Sequence, residues 1–289
     1  MQNIKKYLNK IFIFFKDNIV GNIILLILFI NYGWQSFVIP SASMEKTLLV
    51  GDFLFVNKHT YGIQKPVIPF FEIPLMNVDK ERYLIKFKNI KHGDILAFHP
   101  PFDNKTFYVK RAVALENDIL FFFKKDLYIH FDKKPTKLNL KSCETMNIRG
   151  IKFYKNPYKY NYKSIQNDVN IEVVNSLKSR KNIDTLSPDL QVDIHRNNVL
   201  YTLSNFPRDS KLYNYMLDGR QMYKVPKGKF FMIGDNRDHS NDSRFWGPIE
   251  MKNVVGTPSI IWASINFKDF NIRFNRFFKT EFEVKNEFR

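Results

Sequence analysis

Pro40-Ser41-Ala42-Ser43-Met44-Glu45-Lys46-Thr47-Leu48 marks the point at which this chain changes character. Ahead of it lies the only long apolar segment of the 289 residues. Behind it, past a Gly51-Asp52 turn, apolar residues come in short runs separated by turn formers. The stretch itself is small and polar: two hydroxyl residues flank an alanine, after a proline whose ring fixes its own φ.

Upstream, Ile19 to Ile39 carries no charge. About 20 such residues, rising about 1.5 Å each, cross a bilayer as one helix. Tyr32 and Trp34 suit the far interface. Residues 1–18 hold Lys5, Lys6, Lys10 and Lys16 against the single Asp17, with the apolar Ile11 to Phe15 suited to a membrane surface. Positive charge before the helix predicts a cytoplasmic N-terminus and a body on the outer face of the membrane. A cleaved leader is the rival reading. It calls for a shorter charged region, and the small-x-small candidate Ser41-Ala42-Ser43 lies far beyond the most apolar part, Ile23 to Ile30. A buried helix of a soluble core is a second rival, but it seldom runs so long without a charge.

Downstream, the apolar runs are short and rich in β-formers: Leu49-Val50, Phe53 to Val56, Asp94 to Phe98, Phe107 to Val109, Ile119 to Phe123 and Leu127 to Ile129. They resume as Lys229 to Ile233, Val254 to Gly256 and Ser259 to Ala263. No helical pattern alternates with them, which argues for a mostly β, antiparallel fold over a βαβ one. Tyr61 to Met76, with Pro66, Pro69 and Pro74, reads as a long extended loop. Residues 132–221 are Lys- and Asn-rich with few clear strands and read as an inserted second lobe. The expected order is therefore a cytoplasmic segment 1–18, a transmembrane helix 19–39, a β domain in two parts (40–131 and 222–267) around the insert, and a tail 268–289 in which charge alternates with phenylalanine and a short helix is expected.

The net charge of +17 points to an acidic partner such as lipid headgroups or nucleic acid. The basic residues are scattered, however, and no basic helix or nucleic-acid motif appears, so no nucleic-acid partner is expected. Cys143 is the only cysteine, which excludes an intramolecular disulfide and a multi-cysteine zinc site. Its polar setting, Lys-Ser-Cys-Glu-Thr, reads as a loop. Nothing in the chain calls for a metal or another cofactor.

Ser41 and Ser43, taken alone, are small turn residues leaving a helix. A serine hydroxyl becomes a nucleophile only when a base takes its proton. None of the six histidines sits in a recognisable nucleophile setting. His239, beside Ser240, is the one worth weighing, and a solvated loop histidine is the plainer account of it. A neutral lysine also serves as a base, provided its ordinary pKa of about 10.4 falls by about 3. Apolar burial lowers it. Lys110 lies in Phe107-Tyr108-Val109-Lys110-Arg111-Ala112-Val113, where on a strand it shares a face with Tyr108 and Ala112. Pattern alone also allows an ordinary edge-strand lysine.

A third stretch, Gly234-Asp235-Asn236-Arg237-Asp238-His239-Ser240-Asn241-Asp242-Ser243-Arg244-Phe245-Trp246-Gly247, is a dense polar loop. The three blocks, in this order and behind an apolar segment, resemble the bacterial type I signal peptidases, serine-lysine proteases that remove signal peptides. The resemblance covers residues 37–60, 94–118 and 228–262. It implies a signal-peptidase-like β fold, Ser43 as nucleophile and Lys110 as general base. Ser41 would serve the oxyanion with the backbone N–H of Ser43, Ser240 would orient the lysine, and Asp242 and Arg244 would support Ser240. Phe37, Ile39, Met44, Leu48, Leu54, Tyr108 and Val109 would line two shallow pockets for small side chains. The implied partners are signal peptides of exported preproteins and membrane lipids, with the enzyme acting as a monomer.

The chain departs from the family pattern where Lys46 replaces a proline and where Ala114, Glu116 and Asn117 replace a Gly and a Pro-Gly pair. The first departure makes Ser43-Met44-Glu45-Lys46 fit Ser-x-x-Lys, the nucleophile motif of penicillin-binding enzymes. The companion Ser-Asp-Asn and Lys-Thr-Gly blocks of those enzymes are missing. A self-cleaving serine-lysine repressor, which needs a DNA-binding domain, and a non-enzymatic membrane-tethered peptide binder are the other readings.

Overall fold

The computed structural model describes residues 18–23, 33–45, 47–68, 73–78, 81–103, 105–123, 126–136, 138–155, 157–158, 216–217, 220–237, 240–280 and 283. Residues 1–17, 24–32, Lys46, His239, residues 159–215 and the last six residues, with the expectations attached to them, lie outside this set.

The strands, in chain order, are β1 (Trp34–Val38), β2 (Asp52–Asn57), β3 (Gly62–Gln64), β4 (Val67–Ile68), β5 (Ile73–Pro74), β6 (Tyr83–Lys86), β7 (Ile95–Phe98), β8 (Tyr108–Ala114), β9 (Ile119–Phe123) and β10 (Asp126–His130). They continue as β11 (Thr145–Ile148), β12 (Ile151–Lys155), β13 (Met216–Leu217), β14 (Arg220–Gln221), β15 (Tyr223–Lys224), β16 (Lys229–Ile233), β17 (Ile249–Glu250), β18 (Val254–Asn266) and β19 (Asn271–Ile272). The mostly β expectation holds. An eight-stranded antiparallel sheet runs β1-β2-β18-β7-β8-β16-β17, with β19 beside β18, and a second sheet runs β11-β12-β10-β9-β15.

Alternation makes these strands. In β2, Leu54 and Val56 point into the core while Phe53 and Phe55 are half-buried, the period of two that a pleated strand imposes. β18 is one strand of 13 residues, where two runs were expected around Gly256 and Pro258. The sheet absorbs the break as register shifts against β7 and β2. At Gly256 a methyl group would lie 2.3 Å from the Asn57 carbonyl oxygen, so only glycine lets the two backbones approach this closely.

Four boundaries move. Trp34–Val38, assigned to the end of the transmembrane helix, forms the edge strand β1 and pairs along its length with β2. Its Trp, Phe and Val are β-formers, and pairing with β2 decides the matter. Residues 19–23 are helical, and the Asn18 side chain accepts the Val20 N–H at 3.0 Å, as a cap does. Among the described residues, no helix is long and apolar enough to cross a membrane. The proline-rich stretch after Tyr61 carries the short strands β3, β4 and β5. Leu49-Val50 falls in the turn before β2, and the tail, where a short helix is expected, adds the strand β19 and carries a 3-10 turn, Phe274–Arg276, with Glu283 helical beyond it.

The second lobe also begins earlier than the composition suggested. β9 and β10 belong to its sheet, because Tyr128 and Ile129 pair with Lys155 and Tyr154 of β12. One buried cluster joins the sheets: Val113, Ala114, Phe231 and Ile233 of the main sheet pack with Leu120, Leu127 and Ile129 of the other. The turn between β8 and β9 forms without the family's glycine. Asn117 takes φ 69° there, a conformation asparagine tolerates better than most residues. The buried Asp118 accepts the Leu115 and Asp132 N–H groups and pairs with His92 at 2.6 Å.

Gly51 closes the loop that carries the serines. Its φ is +86°, and a β-carbon there would lie 1.8 Å from the Ile265 carbonyl oxygen. Left-handed φ alone disfavours a side chain by about 1–2 kcal/mol, and the backbone clash adds to this. Gly51→Ala is therefore expected to lower stability by about 2 kcal/mol or more in urea unfolding followed by circular dichroism.

Candidate active site

A single 3-10 turn, Ala42–Met44, presents the serines. Ser41, extended at φ −132° and ψ 155°, leads into it and stays exposed, whereas Ser43 is buried. The Met44 carbonyl accepts the N–H groups of Thr47 at 3.0 Å and Leu48 at 2.8 Å, which winds the chain back towards β2. The Ser41 and Ser43 hydroxyl oxygens lie 3.3 Å apart.

Opposite the turn stands the start of β8, a central strand held between β7 and β16. Lys110 pairs with Leu96 across the ladder and is 4% exposed. Its Nζ donates to Ser43 Oγ at 2.6 Å and to the Val109 carbonyl at 3.0 Å, and it lies 5.2 Å from the Tyr108 ring. The edge-strand lysine allowed by the pattern is thus a central, buried one. Burial of this kind opposes the charged state of an amine.

The polar loop after β16 brackets the serine turn from the other side. The Asn236 N–H donates to the Ser43 carbonyl at 3.1 Å, and its amide Nδ2 donates to the Ala42 carbonyl at 3.0 Å and to Glu45 Oε2 at 3.2 Å. Ser240, fully buried, presses on Gly234: a methyl group on Gly234 would lie 2.2 Å from Ser240 Oγ and 2.5 Å from the Ser43 carbonyl oxygen. Asp242 is also fully buried and accepts the Gly234 N–H at 3.0 Å, while Ser243 Oγ accepts the Met232 N–H. Arg244 lies in the short helix Ser243–Trp246; its side chain and the expected pairing with Asp242 lie outside the described set.

Asp235 ties the three segments together. Arg111, the neighbour of Lys110, grips it with Nε at 2.8 Å and Nη2 at 2.6 Å, and Thr47 Oγ1 donates to it at 2.6 Å. Burial pushes this carboxyl up, but the Arg111 charge and hydrogen bonds, the Thr47 hydroxyl and Arg237 outweigh it and hold the pKa below the ordinary carboxylate value. Sequence reading assigned no role to Thr47, Arg111, Asp235 or Asn236. The only signal they offered was their place inside the quoted blocks.

A cleft of about 340 Å³ opens beside the serines, and Phe37, Ile39, Met44, Tyr108 and Val109 line it together with Ser41, Ser43 and Lys110. Leu48 and Leu54 do not. Each is 1% exposed, in the buried cluster with Ile39, Met44 and Ile261 that backs the cleft. Phe107 lines it as well, its ring 4.7 Å from that of Phe37. Away from this site, burial pushes the Cys143 thiol up, which disfavours a reactive thiolate.

A family model described as "Signal peptidase, peptidase S26" matches residues 13–263, so the chain belongs to that family and is a serine-protease hydrolase. It is similar to Signal peptidase I of Helicobacter pylori, with 33% identity over 91% of this chain and 86% of the relative. Signal peptidase I of Buchnera aphidicola from Acyrthosiphon pisum is 33% identical over 84% of this chain and 73% of the relative. A crystal structure of a signal peptidase I from Enterococcus faecalis shares 18% identity over 59% of this chain and 97% of its own, with a TM-score of 0.26. The family model and the two sequence relatives place the chain among the bacterial type I signal peptidases.

The Asp235 pairing makes a pH-dependent prediction. Its carboxyl is depressed in the folded state, so its contribution is complete above the unfolded value of about 3.9 and is lost as pH falls through the lower folded value. Breaking a buried pair costs about 3–5 kcal/mol. Asp235→Asn is expected to lower unfolding free energy by about that amount at pH 7, with the gap to the wild type narrowing only below about pH 4. Urea titrations across pH check both the gap and its direction.

Proposed function

We propose that this chain is a membrane-tethered endopeptidase that removes signal peptides after a small-x-small motif through a Ser43–Lys110 dyad. The observation that carries this reading is the 2.6 Å approach of Lys110 Nζ to Ser43 Oγ in a buried setting. In the reactive form the amine is neutral and the bond reverses: the Ser43 hydroxyl donates its proton to Nζ as Oγ attacks the scissile carbonyl. The resulting oxyanion is stabilised by the Ser43 N–H and the Ser41 hydroxyl, whose nearness to Ser43 Oγ supports that role. The protonated amine then passes its proton to the leaving amine. Water, activated by the same amine, hydrolyses the acyl-enzyme. Ser240 orients the lysine, and Asp242, with Arg244, holds the loop that carries Ser240.

The cleft admits an extended peptide, and its apolar lining by Phe37, Ile39, Tyr108 and Val109 favours small aliphatic side chains at the first and third positions before the cut. Lipid is the second partner. The capped helical turn at residues 19–23 exposes Ile19, Val20 and Ile23, as the start of a membrane helix would. Trp34, Trp262, Phe267 and Phe270 add exposed apolar surface on and beside β1 and β18. The enzyme works as a monomer with its N-terminus in the cytoplasm and its β body on the outer face of the cytoplasmic membrane. A reporter fused after Arg289 that works only outside the cytoplasm should be active, and activity of a cytoplasm-only reporter would reject this orientation.

The purified protein should cleave a signal-peptide substrate. Ser43→Ala and Lys110→Ala should each lose several orders of magnitude in turnover, by analogy with the roughly 10⁶-fold loss on removing a serine-protease nucleophile or base. Lys46→Ala should retain most activity. Turnover should rise with pH as Lys110 loses its proton. An inactive Lys46→Ala beside an active Lys110→Ala would overturn the dyad. In the same assay, substrates with Ala at both small positions should outrun those with Leu or Phe at the cut.

A further inference from the structure

The loop that carries Ser43 is closed at its base, where the Ile39 N–H donates to the Asp52 carbonyl and the Gly51 N–H to the Ile39 carbonyl, both at 2.9 Å. One side of this loop is fastened by Asp235 and Asn236. The other side is fastened by a segment the proposed chemistry does not use, the end of the chain. Arg276, 2% exposed, forks onto the fully buried Asp52 carboxylate, with Nε at 3.0 Å and Nη2 at 2.6 Å. The same Nη2 donates to the Thr47 carbonyl at 3.2 Å. Arg273 donates from Nη2 to the Val50 carbonyl at 2.6 Å and from Nε to Ser264 Oγ at 2.7 Å, and Ser264 in turn donates to Asp52 at 2.6 Å. Asp52 also accepts the Leu49 N–H at 2.7 Å. The segment itself is pinned to β18: the Phe278 N–H donates to the Ile261 carbonyl, and the Ile261 N–H to the Lys279 carbonyl.

Thr47 therefore takes a bond from each side. Its hydroxyl donates to Asp235 and its carbonyl accepts from Arg276. It follows Met44 by three residues and donates its own N–H to the Met44 carbonyl, so its position sets that of the turn that presents Ser43. A buried ion pair contributes little net stability over apolar packing. What the guanidinium fork adds is direction, because its planar donors meet a carboxylate at a fixed angle.

We infer that Arg276, through Asp52 and the Thr47 carbonyl, is a positioning residue that holds Ser43 at its working distance from Lys110, with Arg273 as its auxiliary. The inference rests on the reading of Ser43 and Lys110 as nucleophile and base. A misplacement of about 1 Å costs a factor of about 10² in rate, whereas the cleft lining that binds substrate lies on other residues. The effect belongs in kcat and not in KM.

The test uses the full-length enzyme in detergent and a small-x-small peptide. Arg276→Gln should lower kcat about 10²-fold with KM within about threefold. Arg276→Lys should recover part of the loss, since one charge still reaches Asp52 but the fork does not. The milder Arg273→Gln should move in the same direction by about tenfold, and Asn275→Ala, an exposed neighbour, should change nothing. Hydrogen exchange of residues 42–49 should quicken in Arg276→Gln while the sheet amides stay protected. If Arg276→Gln does not fold, the comparison passes to Arg273→Gln and Arg276→Lys. Unchanged kcat in the folded variants, a rise in KM alone, or a loss that only tracks the folded fraction overturns the inference. A wild-type enzyme that fails to cleave the peptide defeats the dyad reading instead.

Discussion

A single buried carboxylate holds the centre of this molecule together. Asp235 meets the guanidinium of Arg111 and the hydroxyl of Thr47, so it joins the strand of Lys110, the loop of Ser43 and the polar loop after β16. The two loops are short and irregular at the site, and the carboxylate fastens both to the regular, ladder-paired strand β8. Desolvating the carboxylate is unfavourable, but the bidentate guanidinium satisfies it geometrically as well as electrostatically. The junction thus holds Arg111, next to Lys110 on β8, and Thr47, in the loop of Ser43, to the same carboxylate.

Asp52 repeats the arrangement on the far side of the same loop, with Arg276 as its partner and Ser264 and the Leu49 N–H completing its coordination. The two carboxylates are each essentially buried, and each holds an arginine from a distant part of the chain. Between them they clamp the loop that carries the serines. Apolar packing does the rest: Leu48 and Leu54 fill the space behind the cleft with Ile39 and Met44. Leu48 and Leu54 back the wall of the cleft, whereas Ile39 and Met44 belong both to this cluster and to the lining.

The two sheets share one hydrophobic cluster, and this explains why the second lobe is less separate than its composition suggests. β9 continues directly from the lysine strand through a turn that Asn117 and Asp118 make possible. The lobe thus packs directly on β8 through Val113 and Ala114, residues only a few positions beyond Lys110.

What the sequence determined by itself was local. Alternation of Leu54 and Val56 with Phe53 and Phe55 announced β2, and the apolar setting of Lys110 announced β8. The roles proposed for Ser41, Ser43, Lys110 and Ser240 came from the family resemblance of three blocks, each a continuous stretch that can be matched without folding. The tertiary structure alone decided the rest. Trp34–Val38 became a strand because β2 was there to pair with it. Leu48 and Leu54 went behind the cleft because the core needed filling at that point. The pairings of Asp235 with Arg111 and of Asp52 with Arg276 span 124 and 224 residues of chain. No periodicity records such a meeting, because a charged side chain finds its buried partner only when the fold has brought a strand and a distant loop or turn to the same place.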